Sequence, residues 1–416
     1  MNQRTAKLHS DTRQTGRKAV FSAIQRAGRI PRVEIARQTG ISPATVTAIT
    51  QELMRAGLIE EVEWTSESDG DDARRGRPPV GLKVRGKAGL VAGVKIGHES
   101  LMIGICDLEG RVIGEHRVDI PATPLEPREV VRLIHDALVA GLVVNGMGLD
   151  DLSGVGIGLS GFVDARRGFV HWSPSLAVRN VALRDALEAA IPLPFFLDND
   201  ANLVAKAEQL FGFGRGVANF VVVTIEQGVG LGIVVDHELY RGTRGCGAEF
   251  GHTKVHLDGA LCRCGQRGCL EAYVAEYALL READIILGPE PSWRGATTVE
   301  RLMRLDEIAR EGNEAARSIF RRAGRMFALG LSNIVNLFDP ELIILAGEQL
   351  NMDHLCNADV MADLRRWSVK VDAPPARIRT HRWGDLMWAQ GAAAMAVSGV
   401  TERALEALTA EGADAR

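Results

Sequence analysis

No run of about 18 consecutive apolar residues occurs in the 416-residue chain, so no membrane-spanning helix and no membrane insertion is expected. The opening stretch MNQRTAKLHSDTRQTGRKAV lacks the apolar core of a secretory leader. These two absences point to a soluble, cytoplasmic protein. Cysteine is scarce as well: there are six, and three of them fall within the eight residues from Cys262 to Cys269. Scarce and clustered thiols exclude a secreted disulfide framework and point to one local piece of cysteine chemistry. Length is not lacking. At roughly 100–200 residues per domain the chain has room for two to four domains, each able to bury a core without staples.

The formal net charge of −4 is unevenly spread. Residues 1–87 carry 16 Lys and Arg against 10 Asp and Glu, whereas the remainder carries 33 against 43. A basic module ahead of an acidic body suggests that the first part meets a polyanion and the second does not.

Residues 1–16 read as a flexible arm, and residues 17–65 as a winged helix-turn-helix. Val20, Ile24 and Ala27 mark one apolar helical face, Pro31 suits the start of a second helix, and Gly40 suits its C-terminal turn. Ser42 and Pro43 then open a third helix with Val46, Ile49 and Leu53 on its inner stripe. The opposite face offers Ala44, Thr45, Thr47, Ala48 and Gln51, small and polar enough to lie deep in the major groove of double-stranded operator DNA. Residues 66–87 read as wing and linker. Within them Arg75 and Arg77, in an Arg-Gly-Arg-Pro segment, suit insertion into a narrow minor groove.

After Lys87 strand and helix signals alternate, which implies mostly parallel sheets flanked by helices in two lobes, with ligand at the strand ends. One lobe is expected over 88–197, completed by C-terminal helices at about 383–410, and the other over 198–382, carrying the cysteine cluster and dimerisation helices. Cys262, Cys264 and Cys269 form a three-thiolate turn that needs one more ligand for a tetrahedral Zn2+ site; His252, His256 and Cys246 are the candidates. A redox Cys-x-Cys pair is the rival reading. Asn199 and Asp200 sit at a strand-to-helix junction, where they either bind a ligand or merely cap the helix.

The segments GLSGFVD, LDNDANLVAKAEQLFG, GAEFGHTKV, CRCGQRGCLEAY and NIVNLFDPELIILAGE together resemble the ROK family of sugar kinases and repressors over about residues 17–400. The head resembles that of the repressor branch, the N-acetylglucosamine and xylose regulators. The resemblance implies a winged helix-turn-helix joined to a two-lobed α/β domain of the actin-like, ribonuclease H-like ATPase type. It implies His252 as the fourth ligand of a structural zinc, and a sugar set of Ser160, Gly161, Asn199, Asp200, Glu249, His252 and Glu271. In the kinase branch the matching Asp is the catalytic base. Yet the nucleotide loops are altered: Lys95-Ile96-Gly97-His98-Glu99 replaces Asp-x-Gly-Gly-Thr, and Glu226-Gln227-Gly228 and Ala346-Gly347-Glu348 replace the two later glycine loops. A carboxylate beside a phosphate repels it, so the expectation is a sugar-responsive repressor and not an enzyme, with Asp200 a sugar ligand. A homodimer or dimer of dimers is expected, to meet two half-sites. The rivals are a kinase that kept its DNA head and a repressor governed by a partner protein.

Overall fold

A long helix, α1 (Gln3–Ala27), begins the chain in the computed structural model, so residues 3–16 are helical where an arm was expected. The physical reason is plain: the stretch contains no proline and no glycine before Gly16, and the first strong stop is Gly28, at φ +76°. The structure describes residues 3–64, 80–97, 99–288, 293, 295–347, 353–370, 372, 374–381 and 386–414. Two units are distinguished, residues 1–216 with 386–416, and residues 217–385.

The head continues with β1 (Ile30–Pro31), α2 (Arg32–Thr39), α3 (Pro43–Arg55), β2 (Ile59–Glu63) and β3 (Val80–Val84). Pro31 ends the short strand and takes the N-cap position of α2, and Gly40 closes α2 in the left-handed conformation. Ser42 caps α3 by accepting from the Thr45 N–H at 3.2 Å. The end of the expected linker is a strand: β3 lies between β1 and β2 and buries Leu82 completely.

One ion pair locks the head. Arg17 on α1 is only 1% exposed, and its Nε and Nη2 donate to the two carboxylate oxygens of Glu52 on α3 at 2.9 and 2.5 Å. The same guanidinium holds the Glu52 carboxyl below its ordinary value of 4.5. Arg17→Ala is therefore expected to destabilise the head by about 1–2 kcal/mol, because Glu52 then keeps only the more exposed Arg13, at 3.1 Å. The pH sign follows from the lowered value. The pair contributes fully above pH 4.5 and is lost as pH falls through the depressed folded value, so Glu52→Gln should flatten the acid limb of the head's thermal unfolding curve.

The first unit's sheet comprises β4 (Leu90–Ile96), β5 (Ser100–Asp107), β6 (Val112–Asp119), β7 (Leu152–Leu159) and β10 (Phe195–Asn199). Between these come α4 (Pro127–Val144), the hairpin β8 (Phe162–Asp164) and β9 (Phe169–Trp172), and α5 (Leu183–Ala190); α6 (Asp200–Phe211) follows β10. The second unit contains β11 (Phe220–Ile225), β12 (Val229–Val235), β13 (Glu238–Tyr240), α7 (Glu271–Val274), α8 (Glu276–Ile286), α9 (Thr298–Arg310), α10 (Glu314–Phe338), β14 (Leu342–Ala346), α11 (Ala358–Trp367) and β15 (Arg377–His381). The final helix, α12 (Met387–Asp414), returns to the first unit.

The two sheets share one plan. Their orders are β6-β5-β4-β7-β10 and β13-β12-β11-β14-β15, each with its first strand central, antiparallel to the second and parallel to the fourth. The glycines inside the first sheet's strands explain how α12 lies on it. A Cβ at Gly93 would fall 1.9 Å from the Ala389 carbonyl oxygen, and one at Gly156 would fall 1.8 Å from that of Ala392. Because α6 also packs on α12, the boundary falls after Gly216 rather than after residue 197, and the expected second lobe loses Asp200 and α6 to the first.

Candidate DNA-binding face, metal centre and polar sites

The outer face of α3 is the one read from its periodicity. Ala44, Thr45, Thr47, Ala48 and Gln51 are all exposed, while Val46, Ile49, Thr50 and Leu53 are buried. The two threonine hydroxyls are steadied by the helix itself: Thr47 Oγ1 donates to the Pro43 carbonyl at 2.9 Å, and Thr45 Oγ1 lies 2.8 Å from Ser42 Oγ. Arg75 and Arg77 lie outside the described residues.

The head is docked within its own unit by polar contacts at three places. Lys18 pairs with Glu402 of α12 at 2.9 Å, and Lys83 pairs with Glu109 at 2.9 Å. Arg215, just beyond α6, donates through Nη2 and Nε to the carbonyls of Gln25 and Arg26, each at 3.1 Å. These are terminal carbonyls of α1, so a cation completes that helix end.

Ser160 and Asp200 meet because their strands are neighbours. β4, β7 and β10 run parallel, with Ile96 and Asn199 both in register with Leu159, so Lys95, Ser160 and Asp200 gather at one set of carboxyl ends. Ser160 Oγ donates to Asp200 Oδ2 at 2.6 Å, and the Lys95 ammonium pairs with Oδ1. Trp388 places its ring 5.1 Å from that ammonium. Capping falls to Asn199, whose Oδ1 accepts from the Asn202 N–H at 3.0 Å. Asp200 is thus not the helix cap. Gly161 is at φ +118°, and a Cβ there would fall 2.2 Å from the Trp172 carbonyl oxygen, so only glycine fits.

In the second unit, the side-chain ligand atoms of His252, Cys262, Cys264 and Cys269 lie within 4.8 Å of one another, a group able to hold a metal ion. His252 Nδ1 stands 3.8 Å from Cys262 Sγ, and Cys264 Sγ 3.7 Å from Cys269 Sγ. A tetrahedron with bonds of about 2.3 Å has edges of about 3.8 Å, which these two separations match. The rival fourth ligands are engaged elsewhere: His256 Nδ1 lies 3.3 Å from the Tyr273 hydroxyl, and Cys246 Sγ donates to the Arg244 carbonyl. Lys254 donates to Cys269 Sγ at 2.9 Å, adding a positive charge beside the cysteine cluster.

Glu271 adjoins this centre. Its Oε1 lies 3.5 Å from Cys262 Sγ, and its Oε2 accepts from the Val229 N–H at 3.4 Å. The Tyr277 hydroxyl reaches both Glu271 Oε1, at 3.3 Å, and Cys262 Sγ, at 3.6 Å, and Arg263 covers the ring at 4.0 Å. Burial, and then the charge of Glu271, push the Glu249 carboxyl up to about 7. Tyr277 was missed in the sequence. A signal existed, since two of the chain's three tyrosines, Tyr273 and Tyr277, follow the cysteine cluster at once.

Of the segments expected to stand in place of the nucleotide loops, Gly97 and Glu99 form the tight β4–β5 turn, where the Gly97 N–H donates to the Ser100 carbonyl at 2.9 Å, and Glu99 is exposed. Glu226 to Gly228 form the β11–β12 turn. His98 and Glu348 lie outside the described residues.

Residues 17–60 match the winged helix-turn-helix DNA-binding family, and residues 91–398 match the ROK family. A xylose repressor of Caldicellulosiruptor bescii is 28% identical over 344 residues, 82% of this chain and 84% of its own length. A glucokinase of Streptomyces coelicolor is 32% identical over 289 residues, 68% of this chain and 89% of its own. A solved ROK family transcriptional regulator, described as a homologue of the E. coli MLC protein, superposes with a TM-score of 0.77 at 26% identity, covering 96% of this chain and 99% of its own. With a ROK match over most of its length behind a DNA-binding head, the chain belongs to the ROK family.

Proposed function

We propose that this protein is a sugar-responsive transcriptional repressor whose kinase-type domain senses a sugar and does not phosphorylate it. The observation that carries the reading is the state of Asp200. The residue matching the kinase base has one oxygen on the Lys95 ammonium and the other on the Ser160 hydroxyl. A base must be free to take a proton from the substrate hydroxyl, and here the Lys95 ammonium, standing where the kinases have a metal-binding carboxylate, and the Ser160 hydroxyl already engage both oxygens. Asp200, Ser160, Gly161 and the Asn199 amide in one unit, and Glu249, Glu271 and His252 in the other, are the groups we assign to sugar hydroxyls. DNA is assigned to Ala44, Thr45, Thr47, Ala48 and Gln51, with Arg75 and Arg77 as minor-groove contacts.

The ion at His252, Cys262, Cys264 and Cys269 is assigned as zinc, which favours three thiolates with one imidazole. Four protein ligands leave no open position, so its role is structural. Three thiolates on a dication leave one negative charge, which Lys254 offsets. The cytoplasm, where thiols stay reduced, suits such a centre. Two heads are needed for two half-sites, so the working form is assigned as a homodimer or a dimer of dimers.

A thermal-shift screen of glucose, xylose, N-acetylglucosamine and their phosphates, with and without ATP and magnesium, tests the reading. At least one sugar should raise the midpoint, ATP should add nothing, and no phosphorylated product should form. ATP-dependent turnover of any of them would return the chain to the kinases.

A route from sugar to head lies in α6, which begins at Asp200 and is followed by Arg215 on the carbonyls of α1. Any effector acts only through its different affinities for the DNA-competent and incompetent states. Arg215→Ala is expected to leave sugar affinity within about twofold and to reduce the coupling between sugar and DNA by about tenfold. The comparison is made by titrating DNA at zero and at saturating sugar.

A further inference from the structure

An open cavity lies apart from the sugar and metal residues. It lies in the second unit between α9, α10 and the start of α11, with a volume of about 560 Å³, within the range of sites for small metabolites. Arg317, Arg321 and Arg325 stand four residues apart on α10 and so share one face of the helix, and Arg310 at the end of α9 joins them at the cavity. Three carboxylates, Asp306, Asp359 and Asp363, also line it.

The pairing among these groups is unequal. Arg310 is held by Asp306 at 2.7 Å, and Arg317 donates to the Ala309 carbonyl at 2.9 Å. Arg321 reaches only Glu314, at 3.3 Å, and Arg325 only Asp363, at 3.9 Å, among the described residues. Both are about two-thirds exposed, so both forks remain able to take an anion.

His354 lines the cavity, is 9% exposed, and stacks on Phe320 with ring centroids 4.6 Å apart. Neither ring nitrogen has a hydrogen-bond partner among the described residues. Both nitrogens are closed to solvent, so the ring walls the cavity and does not offer it a donor or acceptor. Burial lowers its value to about 3 and keeps the ring neutral, so it adds no charge to the cavity. Gly324 brings the helix close to this residue: a Cβ there would fall 2.8 Å from the His354 carbonyl oxygen.

We propose that this cavity is a second ligand site, for a small phosphorylated metabolite, with Arg321 and Arg325 on the phosphate and the hydroxyls of its carbon skeleton toward Asp306, Asp359 and Asp363. None of its lining residues belongs to the sugar, metal or DNA sets, so the site stands whether or not Asp200 binds a sugar.

The test is calorimetric titration of the full-length protein at constant ionic strength with inorganic phosphate, pyrophosphate and glucose 6-phosphate, and with glucose as the uncharged control. The Arg321→Ala/Arg325→Ala double variant and the Asp200→Asn variant are titrated in parallel. Both arginines are exposed, so the double variant should fold, as checked by its unfolding midpoint. The expected result is one site per chain that prefers the phosphate ester, is weakened about tenfold or more in the double variant, and is unchanged in Asp200→Asn. Preference for inorganic phosphate over the ester would overturn the metabolite assignment. Equal binding by the double variant, loss in Asp200→Asn, or no binding tighter than about 10 mM would overturn the site itself.

Discussion

Cys264→Ser is expected to release the metal and to lower the stability of the 217–385 unit by about 4–5 kcal/mol. The exposed Cys264 is the informative position, because Cys262 and Cys269 are buried and their loss would also disturb packing. The change should travel to Glu271, since Cys262 Sγ, Tyr277 and Glu271 form one polar cluster beside the His252 and cysteine group. Sugar affinity should therefore fall about a hundredfold with the metal, not merely the melting temperature. Cys246→Ser is the matched control, because that thiol points to the Arg244 carbonyl instead. Metal content by elemental analysis, unfolding by calorimetry and sugar binding by titration read the three effects separately. A metal-free variant with unchanged sugar affinity would break the link between knot and pocket.

Asp200→Asn is expected to weaken sugar binding about a hundredfold, which corresponds to roughly 2.7 kcal/mol. The amide keeps the volume but cannot accept from two sugar donors as a carboxylate does, and it leaves the Lys95 ammonium without its partner. DNA binding should persist, because the head's own core, its Arg17–Glu52 clamp and the outer face of α3 are untouched. The variant should accordingly occupy DNA and fail to leave it when sugar is added. Titrating sugar and DNA separately distinguishes this outcome from a general loss of folding.

Much of this arrangement was legible because it is local. The Ser42-Pro43 opening of α3, the alternation that marks β4 and β5, and the Cys262-x-Cys264 turn each depend on residues close in the chain. What escaped depends on neighbours distant in sequence. The lysine at position 95 was readable as a loss of the kinase carboxylate, but its pairing with Asp200 required β4 and β10 to flank β7. The glycines inside β4 and β7 have no explanation in their own strands. Their cause is α12, almost three hundred residues later in the chain for Gly93. The helical start of α1 was hidden by its polar composition, and the unit boundary by α6, whose place is fixed by α12. Arg215 looked like any surface cation until the carbonyls of α1 appeared beneath it.

The central claim, that a sugar governs this head's hold on DNA, is tested most directly by fluorescence anisotropy of the full-length protein on a duplex selected from a random-sequence pool. Glucose, xylose, N-acetylglucosamine and their phosphates are each titrated into the preformed complex at fixed salt, since phosphate contacts make affinity salt-dependent. The account predicts that at least one of them weakens DNA binding about tenfold or more, and that Asp200→Asn abolishes this release. DNA affinity that stays the same with every sugar, in a protein that binds the duplex tightly, would contradict it.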